Sequence, residues 1–140
     1  MRTINDEAFG KLTYNNQWER PFQVSLWGSP RNLWLIVESE TDDDESVSQI
    51  QRKAYEDFLS RHETMEHEIL TKLVQYSRKE LGADNCTEAN FLQHNEPSSL
   101  FFPLSGEWAV LFESAFDEEG GLAAVVRDGQ IEVGPQDIIL

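Results

Sequence analysis

Apolar positions follow two different periods along this chain, and the change from one to the other divides it into three parts. From Ile4 to Val37 the spacing is two or continuous. Leu12 and Tyr14 share a face in Lys11-Leu12-Thr13-Tyr14, and Phe22, Val24 and Leu26 alternate with Gln23 and Ser25, the mark of a half-buried strand. Leu33-Trp34-Leu35-Ile36-Val37 is apolar on both faces and predicts a more central strand. Asn15-Asn16 and Trp27-Gly28-Ser29-Pro30 supply turns, so three antiparallel strands are expected here. From residue 47 the period changes to three and four. Val47, Ile50, Ala54 and Phe58 form one helical stripe, with Ser46 and Gln49 as a capping box. Met65, Ile69, Leu73 and Tyr76 form another, opened by Ser60 and Glu63 and closed by Gly82. Two consecutive helices are the expectation, with one bent helix as the alternative.

Residues 83–98 are polar, show no period and read as a loop. The last part returns to strands: Leu100 to Leu104, ended by Pro103, then Trp108 to Phe112, Leu122 to Val126 and Ile131 to Val133. Asp128-Gly129 is a strong signal for a two-residue hairpin between the last pair. Strands, helices and strands in that order predict one α+β domain over residues 1–140, with both helices on one face of a largely antiparallel sheet.

Composition narrows what such a domain does. The 140 residues carry 26 acidic and 11 basic side chains, a formal charge of -15. Duplex affinity comes from Lys and Arg neutralising phosphates, so nucleic acid is not an expected partner, and an anionic membrane surface is disfavoured for the same reason. No run of about 18 apolar residues is present. The single cysteine, Cys86, has no internal disulfide partner and the N-terminus has no secretory stretch, which together predict a cytoplasmic protein. The charge is one-sided. Residues 80–140 hold 12 acidic side chains and one basic one, Arg127. The charge favours basic proteins or cations as partners, or serves solubility alone with no partner.

His62 and His67 with Glu63 and Glu66 are the best clue to a small hydrolase or metal-dependent enzyme, but the two histidines are five apart and point about 140° away from each other on a helix. Zinc helices place them at i and i+4, and the only other histidine, His94, lies in the later loop, so no metal site is assigned. Asp42-Asp43-Asp44-Glu45 and Asp117-Glu118-Glu119 lack the alternation of a calcium loop. Glu107 and Glu113 flank an apolar strand as charges ordinarily do. No phosphate loop or serine elbow occurs, so no catalytic residue and no cofactor is assigned. Of the four tryptophans, Trp34 and Trp108 are expected in the core. Trp18 and Trp27 stand beside turns with polar neighbours, where they either pack over the sheet edges or, as aromatics rimmed by acids, anchor a basic partner.

The two ends of the chain resemble a known but uncharacterised family of small bacterial proteins. The resemblance rests on Ile4-Asn5-Asp6, Phe9-Gly10 and Leu12 at the opening. At the close it rests on Val133-Gly134-Pro135-Gln136-Asp137-Ile138 and Leu140. It implies a bacterial, cytoplasmic α+β domain and brings no activity with it. By analogy with other acidic families, an immunity-type inhibitor of a basic toxin is the most concrete form of the leading expectation. That expectation is a non-catalytic binding module for a basic protein that uses Asp42, Asp43, Asp44, Glu45, Asp117, Glu118, Glu119, Trp18 and Trp27. A housekeeping domain with no dedicated partner is the third reading.

Overall fold

The computed structural model describes residues 2–40 and 46–140. Eight strands form one sheet in which every neighbour in space is a neighbour in sequence. They are β1 (Thr3–Asp6), β2 (Gly10–Asn15), β3 (Gln17–Leu26), β4 (Ser29–Val37), β5 (Asn95–Phe102), β6 (Trp108–Ser114), β7 (Leu122–Arg127) and β8 (Gln130–Gly134). All pairings are antiparallel except that of β4 with β5, which is parallel. A parallel pair needs a crossover, and the helix α1 (Gln49–Glu80) supplies it. The fold is α+β, as the periods predict. β1 is a strand beyond the expected set, and β5 begins inside the expected loop after a single turn of helix, α2 (Phe91–His94).

The middle of the chain is one helix of 32 residues instead of two. Ser60, the expected second cap, lies inside it and returns its hydroxyl to the carbonyl of Asp57 at 3.2 Å, so the backbone ladder runs on. The true cap is Ser48, whose hydroxyl accepts from the Gln51 amide while the Gln51 side chain reaches back to the Ser48 amide. The buried stripe runs through Gln51, Ala54, Tyr55, Phe58, His62, Met65, Ile69 and Leu73. Ile50, assigned to the stripe from its spacing, is exposed.

This stripe packs on the inner face of the sheet, against Leu33, Leu35, Val37, Leu100, Phe102, Val110, Phe112 and Ala124. The outer face carries a second, smaller apolar cluster of Phe101, Ala109, Leu111, Ala123 and Val125, with Ile36, Ile138 and Ile139 packed against it. Ile138 and Ile139 come from the C-terminal segment, which turns back at Pro135 and anchors Gln136 to the Phe112 carbonyl at 2.9 Å. The turns follow the sequence signals. Asp128 and Gly129 have φ of 52° and 77°, and Trp27 and Gly28 have 49° and 78°, the left-handed pair of a two-residue hairpin. No helix among the described residues is long and apolar enough to cross a membrane.

Candidate functional site

Several carboxylates hold elements together, and three of them bear on the site. Asp6 accepts from the amides of Ala8 and Phe9 and from Arg52 of α1, with its side chain 3% exposed. Burial pushes its carboxyl up, but the Arg52 guanidinium and the two amides outweigh that, and it titrates below the ordinary range. Glu107, 6% exposed, binds Arg127 at 2.7 Å and accepts from the Ser105 hydroxyl. Its carboxyl is also pulled down, burial being outweighed by those partners.

Glu66 is the third, and it accounts for His62. One of its oxygens accepts from the Trp27 amide at 2.7 Å and the other meets His62 Nδ1 at 2.7 Å, while the Trp27 indole donates to the Glu66 carbonyl at 2.8 Å. His62 stacks on Phe58 with ring centroids 4.6 Å apart. The group clamps the β3–β4 hairpin onto α1. His67 is 86% exposed and faces Glu88, so the two histidines are not brought together. Cys86 is buried, and burial raises its thiol pKa although the Arg78 charge opposes it, the reverse of what a nucleophile needs.

The other acidic residues divide differently. Asp42, Asp43, Asp44 and Glu45 lie outside the described residues. Asp117 is used locally, its carboxylate accepting the Gly120 amide at 2.9 Å to close the turn before β7. Glu118 and Glu119 are exposed. Trp27 is half-buried in its clamp, and Trp18 is 1% exposed, a core residue instead of a surface anchor. Trp34, expected in the core, is 50% exposed. The reason is register. Leu33, Leu35 and Val37 take the inner face of β4, so Trp34 and Ile36 take the outer one, which the C-terminal segment covers only over the later strands.

The site that remains is a cleft of about 550 Å³ at the end of the sheet where β4 and β5 begin. The parallel ladder joins only Trp34–Val37 to Ser99–Phe102. Its far end is bolted by Gln51, whose amide donates to the carbonyls of Glu38 and Phe102. At the near end the register of β5 shifts between Pro97 and Ser99, and β4 and β5 have no ladder between them there. Asn95 and Ser114 floor the opening, tied to each other and to the Phe91 carbonyl and the Phe116 amide.

Around this floor stand Glu96, Glu113, Glu118, His94 and one cation, Arg31. Glu96 and Glu113 are directly opposite on β5 and β6. The Ala115 amide donates to the His94 carbonyl, so by alternation Glu96 and Glu113 are a hydrogen-bonded pair with α-carbons about 5.5 Å apart. Like charges so placed cost stability. Neither they nor Glu118 makes an ion pair among the described residues, Arg31 turning back to the Leu26 carbonyl at 3.4 Å. Sequence reasoning found Glu118 from its acidic run but not Glu96, whose partnership with Glu113 depends on the β5 register.

A family model described as a domain of unknown function (DUF6985) matches residues 8–140. No curated protein and no solved structure matches the chain.

Proposed function

The chain belongs to this family of domains of unknown function, and on the geometry of its cleft we propose that it is a non-catalytic binding module for a basic protein. One observation carries the reading: Glu96 and Glu113 face each other beside Glu118 in an open cleft, with no ion pair among the described residues to offset their repulsion. A surface charged only for solubility gains nothing from setting like charges opposite one another, whereas a cationic group entering the cleft converts that repulsion into attraction. The C-terminal strands extend the field, since Arg127 is the only basic residue after Lys79 and it is held by Glu107. With three carboxylates against one guanidinium, Arg31, the cleft keeps a net negative field, and a field of that sign speeds encounter with an opposite charge, by 10 to 10³-fold at low salt in strongly steered cases. An inhibitor that shields the basic surface of another protein is the most concrete form of this reading.

The hydrolase alternative gains nothing from the arrangement, because its best residue, His62, is built into the hairpin clamp. The test is a tagged capture from source-cell lysate at low salt, followed by titration of the purified captured protein against wild type and the Glu96→Gln, Glu113→Gln, Glu118→Gln triple variant. One stoichiometric basic protein, bound more weakly as salt rises and more weakly by the triple variant, is expected. Capture of no such protein, or affinity indifferent to both salt and the variant, would refute the proposal.

A further inference from the structure

We infer that the outer face of the sheet around Trp34 is the docking surface for an arginine-bearing segment of that partner, an inference that rests on the basic-partner reading above. Trp34 is the one aromatic among the exposed large apolar side chains of the described residues. It does not stand alone. Pro21 of β3 is directly opposite it, Ser99 of β5 lies on its other side, and Leu111 of β6 follows in the same row. Ile36 continues the apolar surface along β4 into the outer cluster.

Charge frames this row at both ends. Glu19 stands opposite Ile36 on one side. The Glu96–Glu113 pair lies on the other, with Glu113 two residues beyond Leu111, about 7 Å along the strand. The alternation of the four strands places Glu19, Pro21, Gln23, Ser25, Asn32, Trp34, Ile36, Glu96, Ser99, Phe101, Ala109, Leu111 and Glu113 outward, without a Lys or Arg among them.

A half-exposed indole with carboxylates toward both ends of its row matches one side chain best. A guanidinium stacks on an indole face through its planar cation and offers a fork of N–H donors to a carboxylate, whereas an ammonium, a strongly hydrated point charge, does each less well. Tryptophan is also the residue most enriched at the energetic centre of interfaces. A second copy of this chain is the disfavoured occupant, because it brings the same -15 and the same carboxylate rim.

The experiment is a titration of isotope-labelled protein with a capped hexa-arginine peptide and its hexa-lysine counterpart, followed by amide and indole NMR shifts at low and moderate salt. Shifts should centre on the Trp34 indole, Ser99, Glu96 and Glu113, with the arginine peptide bound about threefold or more tightly than the lysine one. Trp34→Ala should weaken the arginine peptide about fivefold with its salt dependence unchanged. Glu96→Gln with Glu113→Gln should flatten that salt dependence. All three positions are exposed, and a thermal melt of each variant checks that the fold is intact. Shifts centred elsewhere, equal affinity for the two peptides, or a Trp34→Ala variant that binds like wild type would overturn this face while leaving a basic partner in place. No binding of either peptide at low salt would overturn the basic-partner reading as well.

Discussion

Replacing Asp6 by Asn removes one charge from a turn that the whole N-terminal hairpin depends on. One Asp6 oxygen accepts from the amides of Ala8 and Phe9 at 2.9 and 3.0 Å, and the other from Arg52 at 2.9 and 2.7 Å. The turn delivers Phe9 into the core, where it stacks on Tyr55 with centroids 4.7 Å apart. Asn has a single acceptor oxygen, so either the two amides or the guanidinium loses its partner. A hydrogen bond to a charged group contributes about 1.5–3 kcal/mol, and the expected loss is about 2–3 kcal/mol. With an unfolding entropy of about 2.1 cal/mol/K per residue over 140 residues, that lowers Tm by roughly 7–10 °C.

The effect should depend on pH in a definite direction. The folded Asp6 carboxyl titrates below its unfolded counterpart. Its contribution is therefore complete above the unfolded value of about 3.9 and fades as pH falls through the lower folded value. Urea unfolding followed by circular dichroism at pH 7, 5 and 3.5 measures this directly. The gap between wild type and Asp6→Asn should be constant from pH 7 to 5 and narrow toward the acid end. A gap below about 0.5 kcal/mol at pH 7, within the range of ordinary surface substitutions, would show that the turn does not rely on this carboxylate. A gap independent of pH would refute the charge argument.

Two further changes probe the carboxylates from opposite sides. Glu66→Ala leaves the Trp27 amide and His62 without their partner in the hairpin clamp and should cost about 2–4 kcal/mol in urea unfolding; a loss below 1 kcal/mol would mean that the hairpin is held by packing alone. Glu113→Gln relieves the repulsion with Glu96 and should stabilise the protein by about 0.2–1 kcal/mol at low salt, less at 0.5 M salt; a destabilised variant would contradict the uncompensated pair.

The inner face of the sheet was legible because a period of two has only one phase. Carried backward from Leu26, Val24 and Phe22, that phase passes through Arg20 to Trp18 and puts it inside, although its polar neighbours suggested a surface. Trp34 was misplaced for the complementary reason. A run such as Leu33 to Val37 states that both faces are apolar, not that both are covered, and the cover of the outer face comes from Ile138 and Ile139, about a hundred residues away in the chain. The helix divided at Ser60 because a capping box is a local signal, while the packed stripe on both sides of it continues without a phase break. The Glu96–Glu113 opposition had no local signal. It arises from a register that the shift between Pro97 and Ser99 sets.

The order of the sheet also says where the entropy of folding is concentrated. Every antiparallel pair is closed by a short connection, so the strands before the helix and those after it can each assemble from local contacts. The β4–β5 seam alone joins residues some sixty positions apart, and closing a loop of that length costs roughly 3–4 kcal/mol by the logarithmic rule, before its constant term. The helix pulls the two halves together, and Gln51 fastens one end of the seam. Trp34 and Ser99 face each other across the other end. A segment bound over both would lie across the two halves, so that its binding energy would also hold together the strand pairing that closes the longest loop.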